Sequence, residues 1–139
     1  MMPTIKNVSL SEFESIKDSL GPDTYVIRIC DPCFEFKEPP KHCTSFVFEF
    51  LDAEDNTEID DDFKIQLDQA KTIVEILKEA LDKDKNIVVH CHAGRCRSGA
   101  VAEVGEILGF KYIGKDKQPN IRVKTMLLQV LDLLYENRY

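Results

Sequence analysis

The chain has 139 residues, 43% of them apolar, which is enough for one domain around one sizeable core. No apolar run approaches the roughly 20 residues of a membrane span, and no basic-then-apolar leader opens the chain, so no secretory signal is expected. A net charge of −7 disfavours a broad nucleic-acid footprint or an anionic membrane surface, and five cysteines without a regular framework point to a reducing compartment, the cytoplasm.

In chain order, Thr4 to Val8 predicts a short edge strand. Ser9 and Glu12 have capping-box spacing, so a helix is expected from about Leu10 to Leu20, stopped by Gly21-Pro22. Tyr25 to Cys30 reads as a strand, and so does Phe46 to Phe50 with its alternating aromatics. Between them, Asp31 to Thr44 holds three prolines and is expected to form a loop. From about Asp61 to Leu81, the residues Phe63, Leu67, Ala70, Val74, Leu77 and Leu81 recur at helical spacing, one apolar face leading into a strand at Asn86 to His90. A helix is expected from Ser98 to near Gly109. A last helix, capped by Asn120 after Pro119, runs to about Glu136 on Ile121, Val123, Leu127, Val130, Leu131 and Leu134. Strands interleaved with helices predict an α/β fold with a largely parallel sheet covered on both faces. Ligands of such sheets bind beyond the carboxyl ends of the strands.

One passage at such an end carries chemistry: His90-Cys91-His92-Ala93-Gly94-Arg95-Cys96-Arg97-Ser98. A loop from a strand end to a helix start points free N–H groups and the positive end of a dipole at one spot, which suits phosphate. The same field favours a thiolate, so Cys91 reads as a nucleophile. Gly94 permits a tight loop, Arg97 offers a fork for two phosphoryl oxygens, and the Ser98 hydroxyl can reach the sulfur. Arg95 and Arg97 would repel a metal cation. Seven acids between Asp52 and Asp62 contrast with two arginines and a histidine between His92 and Arg97. An acidic body with a cationic socket suits a compact anion.

At His90, Cys91, Gly94, Arg97 and Ser98 the chain resembles the cysteine-dependent protein tyrosine phosphatase superfamily, in its compact dual-specificity-like branch. The resemblance extends more weakly from about Tyr25 to the C-terminus. It implies a single phosphatase domain over residues 1–139 and phosphomonoester hydrolysis through a cysteinyl-phosphate. Residues His92, Ala93, Gly94, Arg95, Cys96 and Arg97 would then form the phosphate-binding loop. His90 would help to order that loop, and Asn120 resembles an asparagine before the family's last helix. No cofactor or metal is expected. The expected partner is a phosphorylated substrate, a phosphoprotein or a small phosphomonoester, met by a monomer.

Breaking a phosphate ester needs a proton for the leaving oxygen. The resemblance implies an aspartate on a mobile loop after a strand upstream of the signature. Asp52 follows the Phe46 to Phe50 strand at once and ranks first; Asp55 and Asp60 remain open, since spacing to the cysteine in compact relatives favours a position near Asp60. Acids at 60–62 also suit a helix N-terminus. Cys96 inside the signature is a candidate redox partner of Cys91. Extra loop cations, His92 and Arg95, resemble those of inositol-phosphate phosphatases, and no aromatic walls of a phosphotyrosine slot stand out. An inositol phosphate, a nucleotide or an RNA 5′ phosphate therefore stays open as substrate. Other readings are a phosphate-recognising module without turnover and a sulfur-transfer enzyme; Arg97-Ser98 at this offset speaks against the last. Cys30 and Cys33 with His42 and Cys43 have part of a zinc spacing but lack a second proper pair.

Overall fold

A computed structural model describes residues 2–36 and 38–136, and of residues 133–136 the backbone alone. Five strands, β1 (Thr4–Ser9), β2 (Thr24–Cys30), β3 (Thr44–Glu49), β4 (Asn86–Cys91) and β5 (Lys111–Tyr112), form one sheet in the order β3-β2-β4-β1-β5. Every pairing is parallel. Four helices, α1 (Leu10–Ile16), α2 (Leu67–Asp82), α3 (Arg97–Leu108) and α4 (Ile121–Glu136), cover it. The expected α/β architecture is thus present.

The period-two alternation of the strands decides what faces what. Ile5, Ile27, Ile29, Ile87, Val89 and Cys91 join one cluster with Ala70, Val74 and Leu77 of α2, Val101 and Val104 of α3, and Val123 and Leu127 of α4. Val8, Val26 and Val88 turn the other way, onto Phe13 of α1. Both faces of β2 and β4 are therefore buried, which is why these strands read as continuous apolar runs. Cys91 ends β4 in the middle of the sheet, paired with Ser9 of β1.

Several boundaries differ from expectation. The first strand is interior, because β5 pairs with its outer side at Thr4 and Ile5; two residues are too few to show a period. The first helix stops at Ile16, and Lys17–Ser19 form a 3-10 turn. Ser9 does cap it, accepting from Glu12 N at 3.1 Å. Phe63 and Leu67 are exposed and do not join the apolar face. The chain makes a 3-10 turn at Asp61–Phe63, and Ile65 takes the core position ahead of α2. Buried Lys64 fastens this segment: its ammonium reaches Asp61 Oδ1 at 3.1 Å and the carbonyls of Thr57 at 3.3 Å and Asp55 at 3.4 Å. Ile121 is also exposed, whereas Val123, Leu127, Val130 and Leu131 are buried as expected; Leu134 lies outside the described side chains. Gly105 lets α3 lie on β1, since a Cβ there would meet Ile5 Cδ1 at 2.5 Å.

Candidate active site

Residues 91–97 connect β4 to α3 and turn their carbonyls outward. His92 O accepts from Leu10 N at 3.1 Å, Gly94 O from Asn7 Nδ2 at 2.7 Å, and Arg95 O from Gln118 N at 3.0 Å. Cys96 O accepts from Ala100 N at 2.9 Å and Asn120 N at 3.0 Å. Asn7 is itself fixed, donating also to Asp116 O and accepting from the Tyr112 hydroxyl, each at 2.7 Å. With these acceptors taken, the loop has its N–H groups left to offer at its centre, the arrangement of an anion-binding nest. Gly94 makes the turn at φ +75°, and a Cβ there would collide with the backbone of Val8 and Ser9.

Cys91 lies at the floor of this loop, 2% exposed. Its Sγ accepts from Gly94 N at 3.2 Å and sits 3.1 Å from the Ser98 hydroxyl, itself fully buried on the first turn of α3. Arg97, 5% exposed, donates through Nη1 to Asp31 Oδ1 and to Phe50 O, each at 2.8 Å. Its Nε is buried without a partner among the described residues. Asp31 follows β2 directly and lies outside the sequence-derived set. The signal for it is topological: the ends of parallel strands next to β4 converge on the loop.

His90 points to the opposite face of the sheet from Cys91. Its ring stacks on Phe13 at 4.4 Å, meets Phe36 edge-on at 5.4 Å, and accepts from Arg28 Nε through Nε2 at 3.0 Å. Burial first and the Arg28 cation second push its pKa down to about 3. The imidazole is therefore neutral with its proton on Nδ1, which lies beside the Cys91 main chain but short of hydrogen-bond geometry. Arg28 is itself buried, with Phe36 at 3.8 Å and Phe13 at 4.9 Å over its guanidinium and Glu14 at a long 3.5 Å. Such a cation stays charged through partners of this kind.

The acidic loop discriminates among its aspartates. Asp52 Oδ1 accepts from Asn120 Nδ2 at 2.7 Å, and the carboxylate lies against Cys96, whose thiol is pushed up by burial and then by Asp52. Asp55 is tied to Arg122 Nη1 at 2.6 Å, and Asp60 caps the 3-10 turn through Asp62 N at 3.0 Å. Asn120 does two jobs. Its Oδ1 caps α4 at Val123 N, 3.0 Å away, while its Nδ2 holds Asp52 and the Ala53 carbonyl. Glu54 adds a second cap, accepting from Ile121 N and Arg122 N at 3.0 and 2.8 Å, so the loop is docked on α4 rather than loose.

The rim departs from expectation in two ways. The Arg95 guanidinium is engaged by Asp116 Oδ2 at 2.7 and 3.1 Å, so Arg95 contributes its backbone to the loop while its charge is spent on the rim. Aromatic surface is present after all: Phe34 stands edge-on to His92 at 4.8 Å, and with Phe36, Leu10 and Glu14 it borders a cavity of about 210 Å³. A second cavity, of about 280 Å³, borders Ala93, Gly94 and Arg95. Cys30 is buried in the core and Cys33 exposed in a turn, and among the described residues no three His, Cys, Asp or Glu side chains converge.

Residues 52–105 match the family model described as a polymorphic toxin system DSP-PTPase phosphatase. Among solved structures, the chain is similar to OH1 from the Orf virus, described as a tyrosine phosphatase, with a TM-score of 0.51 and 19% identity over 97% of this chain and 70% of that one. It is also similar to Tk-PTP in its active form, with a TM-score of 0.47 and 13% identity over 98% and 92% of the two chains. No curated protein sequence matches significantly. The Orf virus likeness shows a shared fold, and the family match spans the acidic loop, the signature and most of α3. Over residues 52–105 the chain is thus similar to phosphatases of the DSP-PTPase kind, and it shares its fold with the Orf virus protein.

Proposed function

We propose that the protein hydrolyses phosphomonoesters by double displacement on Cys91. In the first step Cys91 Sγ bonds to phosphorus as the bond to the leaving oxygen breaks, and Asp52 gives that oxygen its proton. In the second, water attacks the phosphorus, Asp52 takes back a proton, and the sulfur leaves with the Ser98 hydroxyl beside it. The loop N–H groups and Arg97 hold the equatorial oxygens, whose charge they balance through the transfer. No step calls for a metal.

The observation that carries this reading is the environment of one sulfur. Cys91 Sγ receives the Gly94 N–H and faces the Ser98 hydroxyl, inside a loop whose carbonyls are tied away from it. That setting stabilises charge on the sulfur and an oxyanion above it. Asp52 suits proton transfer because its described partners, Asn120 and Cys96, are neutral. Asp31, bound to the Arg97 cation, serves as a counter-charge. His90, neutral and stacked on the far face, orders the loop and is not a base.

The substrate is a phosphoprotein or a small phosphomonoester. With Arg95 neutralised by Asp116, the rim gives less support to a polyphosphorylated ligand, while Phe34 beside His92 favours an aryl phosphate. Five unpaired cysteines fit action in a reducing compartment, the cytoplasm. Hydrolysis of para-nitrophenyl phosphate by the wild type, abolished in Cys91→Ser with vanadate binding retained, is the expected result. Full activity in Cys91→Ser removes the proposal.

A further inference from the structure

We propose that Asp31 is a positioning residue for Arg97, setting which edge of the guanidinium meets the phosphoryl group; this rests on the phosphatase reading above. A planar guanidinium has one edge, Nε with a terminal nitrogen, whose two parallel N–H bonds match two oxygens of a phosphate. The other terminal nitrogen carries two hydrogens of its own. In this protein both acceptors on Nη1 are protein atoms, Asp31 Oδ1 and Phe50 O at 2.8 Å each. Nη1 is thereby saturated. Nε, buried and without a partner among the described residues, belongs to the edge that is left. A buried donor without an acceptor costs stability, and an oxyanion in the loop would satisfy it.

Asp31 is well placed to impose this choice. It follows the last residue of β2, whose neighbour in the sheet is β4, so its backbone is anchored to the strand that carries Cys91. The turn after it is closed by Phe34 N on Asp31 O at 3.1 Å. Pro32 sits second in that turn and Cys33 third at φ +67°, the pattern of a type II turn. Holding a non-glycine residue there costs energy, as at sites where geometry is over-determined. The second carboxylate oxygen lies 3.9 Å from His92 Nε2, another buried nitrogen without a hydrogen-bond partner among the described residues. One carboxylate thus lies beside both His92 and Arg97, the first and last residues of the phosphate loop. It supplies the counter-charge for a cation that is only 5% exposed.

The test compares Asp31→Asn and Asp31→Ala with the wild type on para-nitrophenyl phosphate, with orthovanadate as the oxyanion probe and iodoacetamide alkylation of Cys91 as a control. Asp31→Asn keeps the shape but not the charge. It is expected to weaken vanadate inhibition and kcat/KM together by about 10- to 100-fold, the range for a lost charged hydrogen bond, and Asp31→Ala by at least as much. The alkylation rate should change little, because Asp31 does not touch the sulfur. Vanadate inhibition unchanged in a folded Asp31→Asn protein overturns the inference. So does a loss of alkylation rate parallel to the loss of activity, which would mark a general loosening of the loop. A wild type that neither turns over substrate nor binds vanadate would instead sink the phosphatase reading, and the two failures are distinct.

Discussion

Acidification should destabilise this protein through His90 in particular. The imidazole is neutral in the fold, with a pKa near 3 against an ordinary 6.5, because it is buried and faces the Arg28 cation. A cationic group whose folded pKa is depressed contributes stability above its ordinary pKa and loses it as the pH falls toward the folded value. Between pH 7 and pH 4.5 the unfolded chain takes up a proton that the folded one refuses. With those two pKa values the linkage amounts to about 2.5 kcal/mol, approaching about 1.4 kcal/mol per pH unit in the steepest part. Urea unfolding at a series of pH values, run on the wild type and on His90→Asn, isolates this contribution. Carboxylates such as Asp61, held low by Lys64, weaken both proteins alike on acidification and cancel in the difference. His90→Asn should start less stable at pH 7, having lost the Phe13 stack, and the gap should close by about 2.5 kcal/mol at pH 4.5. Parallel curves would refute the buried neutral imidazole.

Further predictions test separate joints of the structure. Gly94→Ala, which drives a Cβ into the backbone of Val8 and Ser9 at φ +75°, should distort the loop and reduce turnover by more than about 100-fold, a loss set by misplacement of the reacting groups and read in steady-state kinetics. Asn120→Ala removes both the α4 cap and the Asp52 anchor; it should cost about 1 kcal/mol in urea unfolding and lower turnover more for alkyl than for nitrophenyl phosphates. Equal losses on the two substrates would remove Asp52 as the proton donor that Asn120 holds. Cys33→Gly relieves a positive φ and should raise stability by about 0.5–1 kcal/mol, seen as a higher urea midpoint.

The parts of this molecule written in local periodicity or local chemistry were legible. The β-branched run ending at Cys91, the glycine and arginine spacing after it, the Ser9 cap and the Asn120 cap each announce themselves within a few residues. What escaped depends on tertiary placement. β5 is two residues long and exists because α3 delivers the chain to the side of β1. Ile65 displaces Phe63 from the core because Lys64, buried among carbonyls, bends the chain ahead of α2, and no helical pattern contains that information. Arg95 and Arg97 look equivalent in the sequence. The fold sends one to Asp116 on the rim and the other to Asp31 and Phe50 inside. Asp31 itself lies 60 residues before Cys91, so their meeting follows only from β2 and β4 being neighbours.

Chemistry on Cys91 is tested most directly by quenching the protein during turnover of para-nitrophenyl phosphate and mapping its peptides by mass spectrometry. One added phosphoryl group is expected on the peptide carrying Cys91, discharged by water in the wild type, accumulating in Ser98→Ala and absent from Cys91→Ser. Turnover that persists without Cys91, or a phosphoryl group found on another residue, would contradict that chemistry.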